Sequence, residues 1–391
     1  MPTVTEKGIE SLSNRGFSRR QIGRVLSAIT AGASALPFTE FAQAQEAERR
    51  ALGARGGGAR GAMDPNVVRI SSNENPLGPS KEGLEAIMKI APMGGRYSPT
   101  GEQQEFVKTV AEMEGVKEDC VAAYAGSSDP LFRSACAFVS PTRSWTMADP
   151  GYGSGASSFI GAKTVKVPLS KDYSHDVEAM IKMDPNAGAY YVCNPNNPSG
   201  TLTSREKIEY LLAHKQKDAV VIVDEAYIHF SENAKPASDL VAAGKDVVVL
   251  RTFSKVYGMA GIRAGFALGR PDLLAKLRPY GGGMLPITGL ACATASMKAK
   301  GLVPERMAIN KKIRENTFNF MEKKKIKYVP SETNFFMMET GRPGQEVATA
   351  FAKEKIMIGR VWAAWPTHVR VTVGTQPEMD KFTAALEKIM A

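Results

Sequence analysis

The chain of 391 residues has few cysteines and no long hydrophobic run, and each absence excludes a class of protein. No run of about 18 apolar residues occurs, which argues against a membrane-spanning helix. The cysteines show no paired short spacing, so they predict buried free thiols rather than a zinc site or a disulfide framework. The four are Cys120, Cys136, Cys193 and Cys292. We expect no metal site.

Basic residues exceed acidic ones, giving a formal charge of +10, but they are not clustered. Nucleic-acid binding would require a basic patch combined with helical or aromatic docking signals, and the lysines and arginines are instead spread along the chain. A diffusely basic enzyme with anionic substrates explains the charge better. The length and the 43% hydrophobic content predict a large core and more than one domain.

The N-terminal region differs in character from the rest of the chain. The segment SRRQI (18–22) is followed by a weakly apolar stretch (25–38) and by AQA (42–44), an alanine pattern typical of a cleavage site. This arrangement resembles a twin-arginine export signal, which predicts a periplasmic or exported protein. The alternative is a basic tail on a cytoplasmic protein. We assign residues 1–44 to the signal and 45–66 to a glycine-rich linker.

Short apolar runs alternate with amphipathic stretches from about residue 100 onward. Runs that are apolar on both faces and separated by helices, such as 204–218, predict a mainly parallel sheet covered by helices on both faces. We expect an α/β fold of the seven-stranded kind. The predicted strands are SWTMAD (144–149), AKTVKVPL (162–169), YYVCN (190–194), VVIVDEA (220–226), VVVLRT (247–252) and AGFALG (264–269).

The last hundred residues change character and predict a smaller α+β domain. Its expected elements are helices near 304–323 and 344–355, a strand at 369–374 and a final helix at 376–391. The folded enzyme is expected to begin near Val67. We divide it into an N-terminal segment (67–98), a large domain (99–285) and a small C-terminal domain (286–391).

Three predicted strands each deliver a chemically useful side chain to their carboxyl ends. Lys255 follows one apolar run, Asp224 ends another, and Asn197 follows a third. Ligands of parallel α/β sheets bind outside the carboxyl ends of the strands. A lysine that can form a Schiff base, a carboxylate facing a pyridine nitrogen and a carboxamide near a phenolic oxygen together predict a pyridoxal phosphate enzyme. Tyr227 can reach the same phenolic oxygen.

The phosphate of that cofactor requires hydroxyl donors and positive charge. Thr252, Ser254 and Arg263 surround the lysine in sequence and form a plausible phosphate cup. The turn containing Ser127, Ser128 and Asp129 precedes a predicted helix, where backbone donors bind phosphate well, although a simple helix cap explains it equally. Tyr152 can stack on the pyridine ring, and a core tyrosine is the alternative.

An ordered set of motifs across residues 67–375 resembles the fold type I, class I/II aminotransferases, and most closely the histidinol-phosphate aminotransferase branch. The motifs are SSNENPLGPS (71–80), RYSPTG (96–101), the serine turn (125–129), NPNNPSG (194–200), VDEAY (223–227), RTFSKVYGMAGIRAGF (251–266), SETNFF (331–336) and VRVTVGT (369–375). Each motif is modest alone, but the ordered set is specific.

The resemblance implies roles for individual residues. Lys255 would be the Schiff-base lysine, Asp224 the pyridine partner, and Tyr227 the phenolate donor together with Asn197. Tyr97 would reach the cofactor phosphate of the other subunit, which implies a homodimer. Arg370 would hold the carboxylate or phosphate of the substrate, with Arg360 as a second anion contact and Asn75 as a third substrate-binding residue. The small-molecule partners would be an amino donor and a 2-oxo acid such as 2-oxoglutarate.

Two departures from the family pattern concern the phosphate turn and the substrate pocket. Pro130 replaces an acidic residue in the turn, but the backbone and hydroxyl donors remain. Trp362 and Trp365 stand between Arg360 and Arg370 and suggest a narrower or more aromatic pocket, so aromatic amino acids are candidate donors beside histidinol phosphate.

The same cofactor site also suits a decarboxylase, an eliminase or a cyclase. A non-catalytic regulatory module is the remaining alternative, and the intact motif residues argue against it.

Overall fold

The computed structural model describes residues 6–30, 64, 66–153, 157, 160–282 and 284–390, which form a large and a small domain. The described strands are β1 (Val68–Ile70), β2 (Val121–Tyr124), β3 (Ser144–Asp149), β4 (Thr164–Pro168), β5 (Ala187–Cys193), β6 (Val220–Asp224), β7 (Val247–Thr252), β8 (Gly265–Gly269), β9 (Tyr328–Val329), β10 (Phe335–Glu339), β11 (Ile356–Ile358) and β12 (His368–Thr372).

Helices cover the sheet and build much of the small domain. They are α1 (Glu6–Asn14), α2 (Arg19–Thr30), α3 (Lys81–Ile90), α4 (Glu102–Glu114), α5 (Ser128–Phe138), α6 (Val177–Met183), α7 (Arg205–His214), α8 (Ser238–Ala242), α9 (Pro271–Leu277), α10 (Ile287–Lys298), α11 (Leu302–Lys323), α12 (Gly344–Lys353) and α13 (Gln376–Met390). Serine side chains cap two of them: Ser80 accepts from the backbone of Gly83 at α3, and Ser204 does the same for Lys207 at α7.

A seven-stranded sheet in the order β2-β8-β7-β6-β5-β3-β4 forms the centre of the large domain. Strands β7, β6, β5, β3 and β4 are parallel to one another, whereas β8 runs antiparallel to both β2 and β7. The predicted α/β fold with a mainly parallel seven-stranded sheet is therefore confirmed. Every residue of β5, β6 and β7 is buried, as expected for strands covered on both faces.

The small domain contains a three-stranded antiparallel sheet, in the order β12-β10-β9, and a two-stranded parallel sheet of β1 and β11. Its own apolar core includes Phe336, Phe351, Val369 and Phe382. The pairing of Val68–Ile70 with Ile356–Ile358 joins the start of the N-terminal segment to this domain. From Val68 the chain therefore runs on the small domain before it crosses to the large one.

Helix α10 belongs to the larger core, although the sequence analysis places residues from 286 onward in the small domain. It packs against α3 and α4. Its residues Leu290, Cys292 and Ala293 lie in the same buried cluster as the central sheet. Burial of one helical face against the large domain thus draws the structural boundary toward α11, beyond the predicted position.

Two N-terminal helices, which the sequence analysis assigns to an export signal, pack on the large domain. Leu12, Phe17 and Val25 are buried in its core cluster. The guanidinium of Arg15 donates to the carbonyl oxygens of Ala137 at 3.0 Å and Val139 at 2.8 Å, at the carboxyl end of α5. The folded part of the chain therefore includes residues before Val67. The predicted alanine pattern (42–44) and nearly all of the predicted linker lie outside the described residues.

Candidate functional site

The carboxyl ends of β5, β6 and β7 meet at one edge of the central sheet. Their register pairs Cys193 with Asp224, and Asp224 with Leu250, so the three strands end at nearly the same level. The turn with Asn197 follows β5, Asp224 ends β6, and Lys255 follows β7. Neighbouring parallel strands thus bring the predicted carboxamide, carboxylate and amine together.

The amine of Lys255 points toward the N-terminal segment and the ring of Tyr227. Its Nζ donates to the carbonyl oxygens of Asn73 at 3.1 Å and Ser72 at 3.4 Å. The same nitrogen lies 5.4 Å from the centre of the Tyr227 ring. Burial, assisted by the positive charge of Arg370, lowers the pKa of Lys255 to about 8. A substantial fraction of neutral, nucleophilic amine is therefore available near neutral pH.

The carboxylate of Asp224 is buried and has two defined donors. Its Oδ2 accepts from the hydroxyl of Tyr191 at 2.8 Å, and its Oδ1 accepts from the backbone of Ala226 at 3.1 Å. Burial raises the pKa of Asp224 to about 6, while these hydrogen bonds and the charge of Lys255 oppose the rise. A buried carboxylate of this kind is suited to accept from a protonated ring nitrogen.

The hydroxyl of Tyr227 is a second polar centre of the site. Asn73 donates its amide to this oxygen at 3.0 Å, and the amide of Asn197 lies at 3.5 Å. Burial raises the pKa of Tyr227, so its phenol stays protonated and can donate to an anionic oxygen. Asn73 is not among the site residues predicted from the sequence. Its position in SSNENPLG and its left-handed backbone (φ 54°), which asparagine tolerates better than most residues, are consistent with a constrained functional turn.

The residues predicted to form the phosphate cup lie together beside the lysine. Thr252 donates to Ser254 at 2.9 Å, and the guanidinium of Arg263 donates to the same serine oxygen at 3.1 Å. Arg263 also donates to the carbonyl of Ala125 at 2.9 Å, at the turn before α5. Gly126 has φ +101°, and a Cβ there would lie 2.5 Å from a guanidinium nitrogen of Arg263. The glycine therefore permits the guanidinium to lie against the amino end of α5, where Ser127 and Ser128 begin the helix.

These residues fit pyridoxal phosphate. A guanidinium, two hydroxyls and a helix amino end suit a dianionic phosphate. On the same edge stand an amine for the aldehyde, a carboxylate for the ring nitrogen and a phenol for the ring oxygen. Tyr152 lies near enough to raise the pKa of Arg263 against the effect of its burial, which places the aromatic ring in the same site.

Arg370 connects the small domain to this site. Its guanidinium donates to the side-chain oxygen of Asn197 at 2.9 Å and to the carbonyl of Ser71 at 2.8 Å. The centre of the Trp362 ring lies 5.4 Å from Arg370 and 4.9 Å from Arg360. One indole therefore contacts both predicted anion-binding guanidiniums, and cation–π attraction favours this arrangement.

The two tryptophans have different surroundings. Trp362 is buried and donates its indole nitrogen to the carbonyl of Gly151 at 3.2 Å, beside Tyr152. Trp365 instead packs edge-on against Tyr173, with ring centres 5.6 Å apart. Trp362 therefore links the small domain to the loop that carries the predicted stacking tyrosine.

Two of the predicted site residues make their polar contacts outside the group around Lys255, and a third is exposed. Asn75 donates to the carbonyl of Val256 at 2.8 Å, so the residue of its segment that reaches the site is Asn73. Asp129 forms an ion pair with Arg133 at 2.7 Å, one helical turn along α5. Tyr97 is 87% exposed, and its predicted contact with a second subunit stays a prediction.

Known proteins similar to this chain belong to a family whose chemistry matches the residues of the site. The family model for aminotransferase class I and II matches residues 65–386, and the chain belongs to this family. Histidinol-phosphate aminotransferase of Moorella thermoacetica is 29% identical over 83% of this chain and 86% of its own length. Histidinol-phosphate aminotransferase 2 of Methylococcus capsulatus is 32% identical, over 83% of this chain and 90% of its own.

A solved structure supports the same fold. Histidinol-phosphate aminotransferase from Sinorhizobium meliloti, in complex with pyridoxal 5'-phosphate, superposes with a TM-score of 0.76 at 24% identity, covering 88% of this chain and 94% of that one. Because the chain belongs to aminotransferase class I and II, it is a pyridoxal-phosphate-dependent enzyme, and the predicted cofactor is confirmed. Within the family it is an aminotransferase. Among the described residues, no helix has the length and apolar character needed to cross a membrane.

The lowered pKa of Lys255 predicts how cofactor loading depends on pH. The fraction of neutral amine increases as pH rises, so the rate at which apoprotein reacts with pyridoxal phosphate should rise with a midpoint near pH 8, where the charge of Lys255 changes. Arg370→Met removes a positive charge that lowers this pKa, so its midpoint should move to higher pH. Stopped-flow absorbance measures the rate. Arg360→Met is the control, and an equal midpoint in all three proteins would contradict the assignment.

Proposed function

We propose that this enzyme moves an amino group between a ring-bearing amino donor and a 2-oxo acid, with Lys255 as the covalent anchor and proton carrier. The donor would be an amino acid or histidinol phosphate, and the acceptor would be 2-oxoglutarate. The observation that supports this most is the grouping of Lys255, Asp224 and Arg370 around one buried site. The amine, the carboxylate and the anion-binding guanidinium have the roles that transamination requires.

Each residue has a defined task in the proposed reaction. When bound, pyridoxal phosphate supplies an aldehyde that links to amines and a ring that accepts the electron pair of a bond broken at Cα. The carboxylate of Asp224 would accept from the ring nitrogen, and the phenol of Tyr227 would donate to the ring oxygen. Arg370 would hold the carboxylate or phosphate of the substrate in a bidentate fork. The neutral amine of Lys255 would take up the proton from Cα of the substrate and return it at the end of the transfer.

The surroundings of Arg370 favour a donor with a flat ring and an anionic group. Trp362 supplies an apolar face between two guanidiniums, and its hydrogen bond to Gly151 fixes that face beside the cofactor loop. The curated relatives at 29% and 32% identity are named for histidinol phosphate, whose imidazole and phosphate match these two features. Aromatic amino acids match the ring and carry a carboxylate for Arg370.

A donor screen tests this proposal. Purified enzyme with 2-oxoglutarate should form glutamate from histidinol phosphate or an aromatic amino acid. Lys255→Ala should lower the rate by roughly 100-fold or more, because it removes the general base, whereas the exposed Lys171→Ala should act like wild type. Release of carbon dioxide or ammonia without transfer to any 2-oxo acid would instead indicate a decarboxylase or an eliminase on the same fold.

We also propose a homodimer with shared sites. Several large apolar side chains are exposed near the N-terminal segment and α10, including Met88 at 72%, Tyr97 at 87% and Met284 at 56%. A second copy of the chain would cover them. A hybrid of one Lys255→Ala subunit and one Tyr97→Phe subunit would contain one complete site. It should show about half the activity of wild type, well above either parent dimer, if Tyr97 acts across the interface. Activity no higher than that of the parents would reject the sharing.

The N-terminal helices are proposed to act in twin-arginine export, with cytoplasmic retention as the alternative. Arg19 and Arg20 are exposed at the start of α2. Their side chains are therefore open to a receptor while the domain is folded. Replacing both with lysine should retain the protein in the cytoplasm, whereas Arg24→Lys, an exposed arginine of the same helix, should leave export unchanged. Equal distribution of all three proteins in cell fractions would refute the export proposal.

A further inference from the structure

Tyr191 is a buried tyrosine of β5 that the sequence analysis did not select. Its hydroxyl donates to Oδ2 of Asp224 at 2.8 Å, across the pair of strands β5 and β6. The side chains of both residues are nearly inaccessible to solvent, with 1% and 2% exposure. A hydrogen bond from a neutral donor to a buried carboxylate stabilises the charged form and fixes its orientation.

The packing around Tyr191 holds its ring in one place. Trp145 of β3 stacks on it, with ring centres 5.7 Å apart and an interplanar angle of 30°. On another side Gly153 has φ +100°, and a Cβ there would lie 3.1 Å from the tyrosine ring. A side chain at that position would have to displace the ring, so the loop carrying Tyr152 approaches Tyr191 closely because residue 153 is glycine.

We propose that Tyr191 is the positioning residue for the pyridine-binding carboxylate. By occupying Oδ2, it keeps Asp224 ionised and directs the remaining acceptor capacity of the carboxylate toward the ring nitrogen. The inference rests on the proposed role of Asp224. It adds Tyr191 as a residue that acts through Asp224. Only the carboxylate of Asp224 would contact the cofactor.

The other groups facing Asp224 do not replace this hydrogen bond. Lys255, which follows β7, contributes a positive charge, while Cys193 of β5 faces the carboxylate as a thiol whose pKa is raised by burial. The backbone of Ala226 donates to Oδ1. The phenol of Tyr152 lies close to Tyr191. Tyr191 is therefore the one side-chain hydroxyl, among the described residues, that donates to this carboxylate.

Tyr191→Phe tests the proposal because it removes the hydroxyl and retains the ring. Binding of pyridoxal phosphate to the apoprotein is measured between pH 5 and pH 8 by fluorescence quenching. In wild type, binding should weaken below the pKa of Asp224, at about 6. The variant should bind about tenfold more weakly at neutral pH, because a hydrogen bond to a charged group is lost. The acidic limb of its binding curve should move to higher pH. The hydrogen bond from Tyr191 lowers the pKa of Asp224 in wild type, so its loss raises that pKa.

Tyr190→Phe is the matched control, because Tyr190 is equally buried in the same strand and its side chain points to the opposite sheet face. Wild-type binding in Tyr191→Phe, or equal weakening in both variants, would overturn the role of Tyr191. Asp224→Asn separates the two proposals: loss of binding in this variant with normal binding in Tyr191→Phe rejects the positioning role alone. Normal binding in Asp224→Asn rejects the role of Asp224 itself, and the inference with it.

A second variant keeps the test decisive if Tyr191→Phe does not fold. 3-Fluorotyrosine at position 191 retains the ring and the hydroxyl but makes the phenol a stronger donor. The acidic limb should then move to lower pH, opposite to the shift expected for phenylalanine. A merely structural effect does not predict opposite shifts, so an unchanged limb in the fluorinated protein would count against the proposal.

Discussion

Burial of opposite charges at the carboxyl edge of the central sheet is the constraint on which the site depends. Lys255, Asp224 and Arg370 lie together with little solvent, and each changes the ionisation of its neighbours. Desolvation lowers the pKa of the amine and raises that of the carboxylate, so both titrate closer to neutrality than in water. The same environment that costs free energy of folding thus makes part of the amine neutral near neutral pH, while the carboxylate remains ionised and can accept a hydrogen bond.

The small domain completes this electrostatic arrangement. Arg370 lies on β12 and reaches the large domain through Asn197, while Trp362 reaches it through Gly151. These contacts cross the domain boundary at the point where substrate is proposed to bind. Any relative motion of the domains would therefore change the anion site and the loop at Gly151 together. Trp362 thus has a positional as well as a chemical role.

The sequence predicts the elements of the sheet and the chemistry at its edge because both arise from local patterns. The strands at 144–149 and 247–252 are observed with the predicted bounds, since their apolar runs end at polar or turn residues. Tyr191 could not be predicted in the same way. Every residue of β5 is buried on one face or the other, so its hydrophobic pattern does not show which face each side chain takes. Its pairing with Asp224 depends on the register between strands. The contact of Arg15 with the carboxyl end of α5 likewise depends on tertiary packing, as does the membership of α10 in the larger core.

The central claim is that Lys255 holds the cofactor covalently, and chemical trapping tests it most directly. Borohydride reduction of the purified holoenzyme, followed by peptide mass mapping, locates the lysine that carries the pyridoxyl group. The account predicts a single modified peptide, with the label on Lys255. A label on another lysine, or a reduced protein with no label after loading with pyridoxal phosphate, would contradict it.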